Sequence, residues 1–145
     1  MNPESMRKEQ KQDVYVHGMD WVTRLEEFPL SNYRSYQYEL IGKHVGENVL
    51  EVGSGDRSFT ELIVANNPHL KRLLSIEPSD TLFKAYQNRT FGTVATFGTE
   101  DLFELTRKKH GLFDTIILVH VLEHVEQDRE ALDHLHGLLA PKGPF

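Results

Sequence analysis

Cysteine does not occur in the 145 residues, which rules out disulfide staples and thiolate metal sites and points to a cytoplasmic protein. No apolar run approaches the length of a membrane span, and no basic start followed by an apolar middle marks a signal peptide, so no membrane partner is expected. An excess of positive charge is also lacking. The formal net charge is −6, the opposite of what phosphate binding through clustered Lys and Arg requires, so no nucleic acid is expected as the main partner. Internal repeats and low-complexity stretches are absent. What remains, 39% apolar and 26% charged residues at a length of about one domain, is the composition of a globular protein with a single core.

Residues 1 to 13 ("MNPESMRKEQKQD") hold almost nothing to bury and read as a mobile tail. Residues 14 to 46 form an N-terminal helical segment. From Met19 to about His44 apolar residues recur at three- and four-residue steps, predicting two amphipathic helices broken near Pro29, the second begun by Ser31 or Asn32. Tyr33, Tyr36 and Tyr38, with Arg34, are either the packing face of that helix or a lid; packing is expected for Tyr36.

From residue 47 to 145 strands and helices alternate. "NVLEVG", "LKRLLSIEP", "GTVATFG" and "FDTIILVHV" read as four strands; residues 58 to 66, "SDTLFKAYQNR", "EDLFELTRKKH" and residues 128 to 140 read as the helices between and after them. This alternation predicts an α/β fold, a Rossmann-like parallel sheet with helices on its faces. Ligands of such sheets lie beyond the carboxyl ends of the strands.

The stretch "VLEVGSGDRSFTEL" (49 to 62) sits at that place. Gly53 and Gly55, with Ser54 between them, let main chain turn sharply and approach a ligand, and the helix that follows offers free N–H groups to an anion. Glu77 stands 22 residues after Gly55, followed by Pro78, and a carboxylate there can accept from both hydroxyls of a ribose. Taken singly, the glycines are an ordinary tight turn and Glu77 a surface acid. Together, at this spacing, they point to a nucleoside-containing ligand. The dinucleotide fingerprint fails because its third glycine is Ser58.

The stretch instead resembles the E-x-G-x-G-x-G segment of the class I S-adenosylmethionine-dependent methyltransferases, with Glu51, Gly53 and Gly55 matching. The resemblance extends over residues 47 to 143. Glu77 matches the family's ribose-binding acid, "FGTEDL" (97 to 102) is similar to its adenine-contacting "(G/D)xAEDL" segment, and residues 113 to 143 are similar to its fourth strand and following helix. "VLEHV" is closest to the small-molecule methyltransferases of the ubiquinone-biosynthesis type. The resemblance implies S-adenosylmethionine as cofactor, a small-molecule methyl acceptor, and transfer to oxygen or nitrogen. It implies a cofactor set of Glu51, Gly53, Ser54, Gly55, Glu77, Pro78, Thr99, Glu100 and His120. Two positions depart from the family pattern. Arg57 replaces the third glycine and must either swing outward or hinder binding, and Gly98 stands where relatives often carry an aspartate, leaving Thr99 and Glu100 to serve the adenine.

His120, Glu123 and His124 follow the fourth strand on one side of a turn. His120 and His124 are the catalytic candidates, since a histidine titrating near neutrality suits removal of an acceptor's proton. The competing reading makes Glu123 and His124 caps of the turn and leaves His120 packed at the cofactor's edge. In ubiquinone-type relatives these positions are Glu, Glu and His and resemble a divalent-metal site; here His120 alters it, and no metal is assigned. His134 and His136 read as surface histidines.

The resemblance implies strand order 3-2-1-4, an incomplete form of a seven-stranded sheet, with the apolar "TIILV" strand as a bare edge open to homodimer pairing. The chain is expected to be a C-terminally truncated fragment, rather than a self-associating unit or a cofactor-binding remnant. Two rival functions stay open: a nicotinamide-dependent oxidoreductase domain, and a non-catalytic partner subunit pairing through strand four.

Overall fold

The segment Asn48–Val52 (β1) can only be a central strand, because its apolar residues point to both faces and four of its five residues are buried. In the computed structural model, which describes residues 30–141, it is central. β1 pairs in parallel with β2 (Arg72–Ile76) on one side and β4 (Thr115–Leu118) on the other, and β2 pairs in parallel with β3 (Ala95–Gly98). The order β3-β2-β1-β4 is the one the family resemblance implies.

Alternation along the strands divides the core in two. Leu50, Val52 and Ile76 face a cluster with Phe113, Ala131, Leu135 and Leu138. Val49, Leu73 and Ile117 face the opposite cluster with Val45, Phe59 and Ile63. Helix α1 (Leu30–Ile41) and α2 (Ser58–Asn66) pack on that second side, where the Tyr38 ring lies 6.0 Å from Phe59 and its hydroxyl accepts from Asn67 Nδ2 at 2.6 Å. Helix α3 (Asp80–Tyr86) is capped by Ser79, whose hydroxyl accepts from Leu82 N–H at 3.3 Å. Short α4 (Arg107–His110) and α5 (Asp128–His136) complete the chain, together with 3-10 turns at Gly42–His44, Leu102–Glu104 and Leu122–His124.

Several sequence expectations are corrected. "EDLFELTRKKH" is not one helix: Leu105 is extended and fully buried in the core, and Thr106 restarts the helix by accepting from Lys109 N–H at 3.2 Å. A buried leucine that breaks the helical period outweighs the helical propensity around it. Ser31 and Asn32 lie within α1 rather than before it. Tyr36 is exposed rather than packed. After α5 closes at Gly137, the chain returns beside the residues that lead into β4, where Phe113 N–H donates to Leu138 O (2.9 Å), Ala140 N–H donates to Phe113 O (2.7 Å), and Phe113 bridges Leu139 in parallel. The tail at residues 1 to 13, the helix expected between Met19 and Phe28, and residues 142 to 145 lie outside the described residues.

Candidate functional site

At the carboxyl end of β1 the chain must leave the sheet without blocking it. Gly53, in the left-handed region at φ 83°, turns the backbone so that the N–H groups of Gly53 and Ser54 both donate to Ile76 O, at 2.8 and 3.1 Å. A Cβ at Gly53 would stand 2.7 Å from Val121 Cγ2, so the position is closed to side chains by strain and by contact. Gly55 repeats the left-handed conformation at φ 52°. Glu77, one residue past β2, reaches across to this loop. Its Oε1 accepts from Gly55 N–H and its Oε2 from Ser79 N–H, both at 3.0 Å. The carboxyl is almost wholly buried, and loss of hydration raises its pKa despite both hydrogen bonds. A carboxylate has four lone-pair sites, so each oxygen keeps one for a further donor.

Arg57 does not plug the loop. Its backbone, at φ 67°, forms the left-handed entry to α2, and its side chain dives beneath the loop. Only 2% of Arg57 is exposed; the guanidinium lies 3.6 Å from the centre of the Phe97 ring and donates to Arg89 O at 2.8 Å. Arg89 returns the contact, donating to Asp56 O at 2.9 Å and pairing with Glu61. Two arginines thus tie the glycine loop to the segment after α3.

Glu51 points to the α2 side of the sheet. Its Oε1 accepts from the Thr60 hydroxyl and from Ser75 Oγ (2.5 Å). Burial pushes its pKa up to about 7, against the pull of the two hydroxyls and of the Arg34 charge. Glu51, Gly53, Ser54, Gly55 and Glu77 line one cleft with Arg34 of α1 and with His120 and His124 beyond β4. Its empty space, counted out to the open mouth, is about 830 Å³. Apolar Phe59, Leu82 and Val121 fill the rest of the wall.

His120, at φ 56°, is the second non-glycine residue with a left-handed backbone among the described residues. Its Nε2 lies 2.8 Å from Gln37 Nε2 and its Nδ1 3.3 Å from Glu123 Oε1. The Tyr33 ring stacks on it at 6.2 Å. Tyr33 therefore belongs to the site and Tyr38 to the core. His134 is tied to Leu105 O at 2.8 Å, a structural contact, and His136 is exposed. Among the described residues no group of three or more His, Asp and Glu converges on a metal-sized point.

Three residues of the expected cofactor set stand apart from this cleft. Pro78 and Thr99 are not part of its wall. Glu100 folds back over Gly98, in the space where a Cβ would sit, toward His110 and Lys109 at 3.5 and 3.7 Å. A backbone hydrogen bond, with the His110 ring and the Lys109 ammonium, holds its pKa below the ordinary carboxylate range against the effect of burial. The glycine at 98 makes room for that fold, which turns the carboxylate away from the cleft. Conversely, Asp56, Phe59, Leu82 and Val119 line the cleft without having been singled out. Only fold topology brings them there; no spacing in the sequence marks them.

Residues 20–145 match the protein family described as "Methyltransferase domain". The chain belongs to the methyltransferase-domain family. This decides between the two cofactor classes the sequence left open, against a nicotinamide-dependent oxidoreductase. The methyltransferase domain is 28% identical over 107 residues to the C-methyltransferase NovU of Streptomyces niveus, covering 74% of this chain and 25% of that protein. Its fold matches the crystal structure of the N-methyltransferase NodS from Bradyrhizobium japonicum WM9, with TM-score 0.64 and 28% identity over 81% of this chain and 66% of that one. The magnesium protoporphyrin IX methyltransferase of Synechocystis PCC 6803, solved with bound SAM, shares the fold alone, at TM-score 0.56 and 22% identity, covering 81% of this chain and 56% of that one. The methyltransferase domain thus spans a quarter of its curated relative's length and about half to two thirds of the solved relatives. No helix among its described residues is long and apolar enough to cross a membrane.

Proposed function

We propose that this methyltransferase domain binds S-adenosylmethionine and transfers its methyl group to an oxygen or nitrogen of a small molecule. The observation that carries the reading is the Glu77 carboxylate, which lines the cleft, accepts one backbone N–H on each oxygen, from Gly55 and Ser79, and keeps acceptor capacity on both. A ribose offers the matching pair of hydroxyl donors. The wall fits the other end of the molecule as well. Arg34 supplies a cation for an amino-acid carboxylate, and Glu51 an anion for its ammonium. Beyond Glu77, Leu82 supplies an apolar surface for the base.

When bound, the cofactor supplies an electrophilic methyl on a sulfonium whose departure leaves a neutral thioether, so no acid is required for the leaving group. The protein's part is to hold the acceptor in line and to take its proton. His120, at the same cleft with a carboxylate on Nδ1, is placed to do the second. His124 lines the cleft beside it.

Parallel calorimetric titrations with S-adenosylmethionine and with NADH test the reading. Saturable binding of the first alone is expected; binding of NADH without S-adenosylmethionine overturns it.

A further inference from the structure

The contacts of His120 fix more than its position. We propose that Gln37, oriented by Arg34, is a positioning residue that holds His120 in the Nδ1-protonated neutral form with its Nε2 as an acceptor. The inference rests on the reading of this cleft as a methyl-transfer site and deepens it by assigning how the base is prepared.

Each link follows from the one before. A guanidinium only donates. Arg34 Nη1 lies 3.3 Å from Gln37, so the atom facing it is the amide oxygen, and a flipped amide would set two donors against each other. The amide's NH2 then faces His120 Nε2 at 2.8 Å. That NH2 only donates, so Nε2 accepts and carries no hydrogen. An imidazolium and an Nε2–H imidazole both oppose donor to donor there. The ring proton therefore sits on Nδ1, which faces Glu123 Oε1 at 3.3 Å. Arg34, Gln37, His120 and Glu123 form one directed chain, every donor meeting an acceptor.

Two features hold the ring in this chain. Its backbone is in the left-handed region at φ 56°, a conformation unfavourable for a residue with a β-carbon and kept only where its surroundings demand it. The Tyr33 ring lies along the imidazole face at 6.2 Å and limits its rotation. The charged or titratable groups around the ring are Glu123 at Nδ1, Arg34 behind the amide, the Tyr33 phenol on its face, and His124 on the same turn.

The alternative tautomer would be useless as a base, because its lone pair would point at the Glu123 carboxylate. In the proposed form an acceptor's O–H or N–H takes the place of the Gln37 amide as donor to Nε2. With the sulfonium cofactor bound, the acceptor atom would bond to the methyl carbon as the carbon–sulfur bond gave its electron pair to sulfur. The acceptor's proton passes to Nε2, and Glu123 faces the imidazolium so formed.

The test is the histidine-ring tautomer read by two-dimensional 15N NMR of the whole chain at pH 8, with His120→Asn identifying the resonances. Wild type is expected to show a protonated Nδ1 and an unprotonated Nε2 at His120, the less common form of an imidazole in water. Gln37→Glu, which puts an acceptor where the NH2 stood, is expected to reverse the assignment to Nε2–H. A protonated Nε2 in wild type, or no change in Gln37→Glu, overturns the inference. Neither outcome depends on cofactor, so a silent S-adenosylmethionine titration beside an Nδ1–H ring would sink the methyl-transfer reading and leave the positioning intact.

Discussion

Glu51 and Glu77 stand one strand apart at the same end of the sheet, both buried, and each is held by different partners. Glu51 takes two hydroxyls, whereas Glu77 takes two backbone N–H groups from the loops it joins. The pKa of Glu51 rises from 4.5 to about 7 on folding, so the native state holds its proton more tightly than the unfolded chain. That contribution is complete below pH 4.5 and is lost as pH rises through 7, amounting to about 3 kcal/mol at the alkaline end. Urea unfolding at pH 5 and pH 8 is expected to show this decline in wild type and a smaller one in Glu51→Gln, where position 51 stays neutral and Glu77 still carries a raised pKa. Gly53→Ala meets both a left-handed backbone and Val121, and is expected to cost about 1–3 kcal/mol in the same measurement and to weaken ligand binding. These acids and glycines were legible as residues because strand, turn and acid follow each other at fixed steps. Gln37 was not legible. One glutamine among polar helix residues gains its meaning only from His120, 83 positions later.

Elements were legible where one periodicity ran unbroken and misread where a single buried side chain interrupted it. β1, β2 and α2 read directly, whereas Leu105 split one expected helix and Tyr36 faced outward although its spacing on α1 matched a packing stripe. Arg57 is the clearest case of an element-scale role hidden in a local departure. As a replaced glycine it resembled an obstruction, but its partners, the carbonyls after α3 and the ring of Phe97, lie on other elements. It joins the loop to α3 and β3 from below and leaves the cleft clear. Arg57→Ala and Arg57→Gly both remove that joint and leave a void, so each is expected to lower stability by about 2–4 kcal/mol. Because the backbone is left-handed at this position, the alanine variant is expected to be the worse by about 1 kcal/mol in denaturant titrations. Equal losses would show that the φ of 67° is not kept in solution.

For the whole molecule, the sheet order places both acids, the glycine loop and His120 on one rim, and α1 closes that rim through Arg34 and Gln37. Parallel pairing was legible because strand and helix alternate; the pairing of Leu138–Ala140 with Phe113, ahead of β4, was not, since a three-residue contact leaves no period to read. A ligand that fills this rim bridges parts of the chain far apart in sequence and stabilises all of them together. S-adenosylhomocysteine at 100 times its Kd is expected to add about 2.7 kcal/mol, raising the melting temperature by about 5–10 °C. The most direct test of the account is S-adenosylhomocysteine affinity by calorimetry, wild type against Glu77→Gln, with folding of the variant checked by circular dichroism. One site in wild type, weakened tenfold or more in the variant, is the result expected. Equal affinities in the two folded proteins would contradict it.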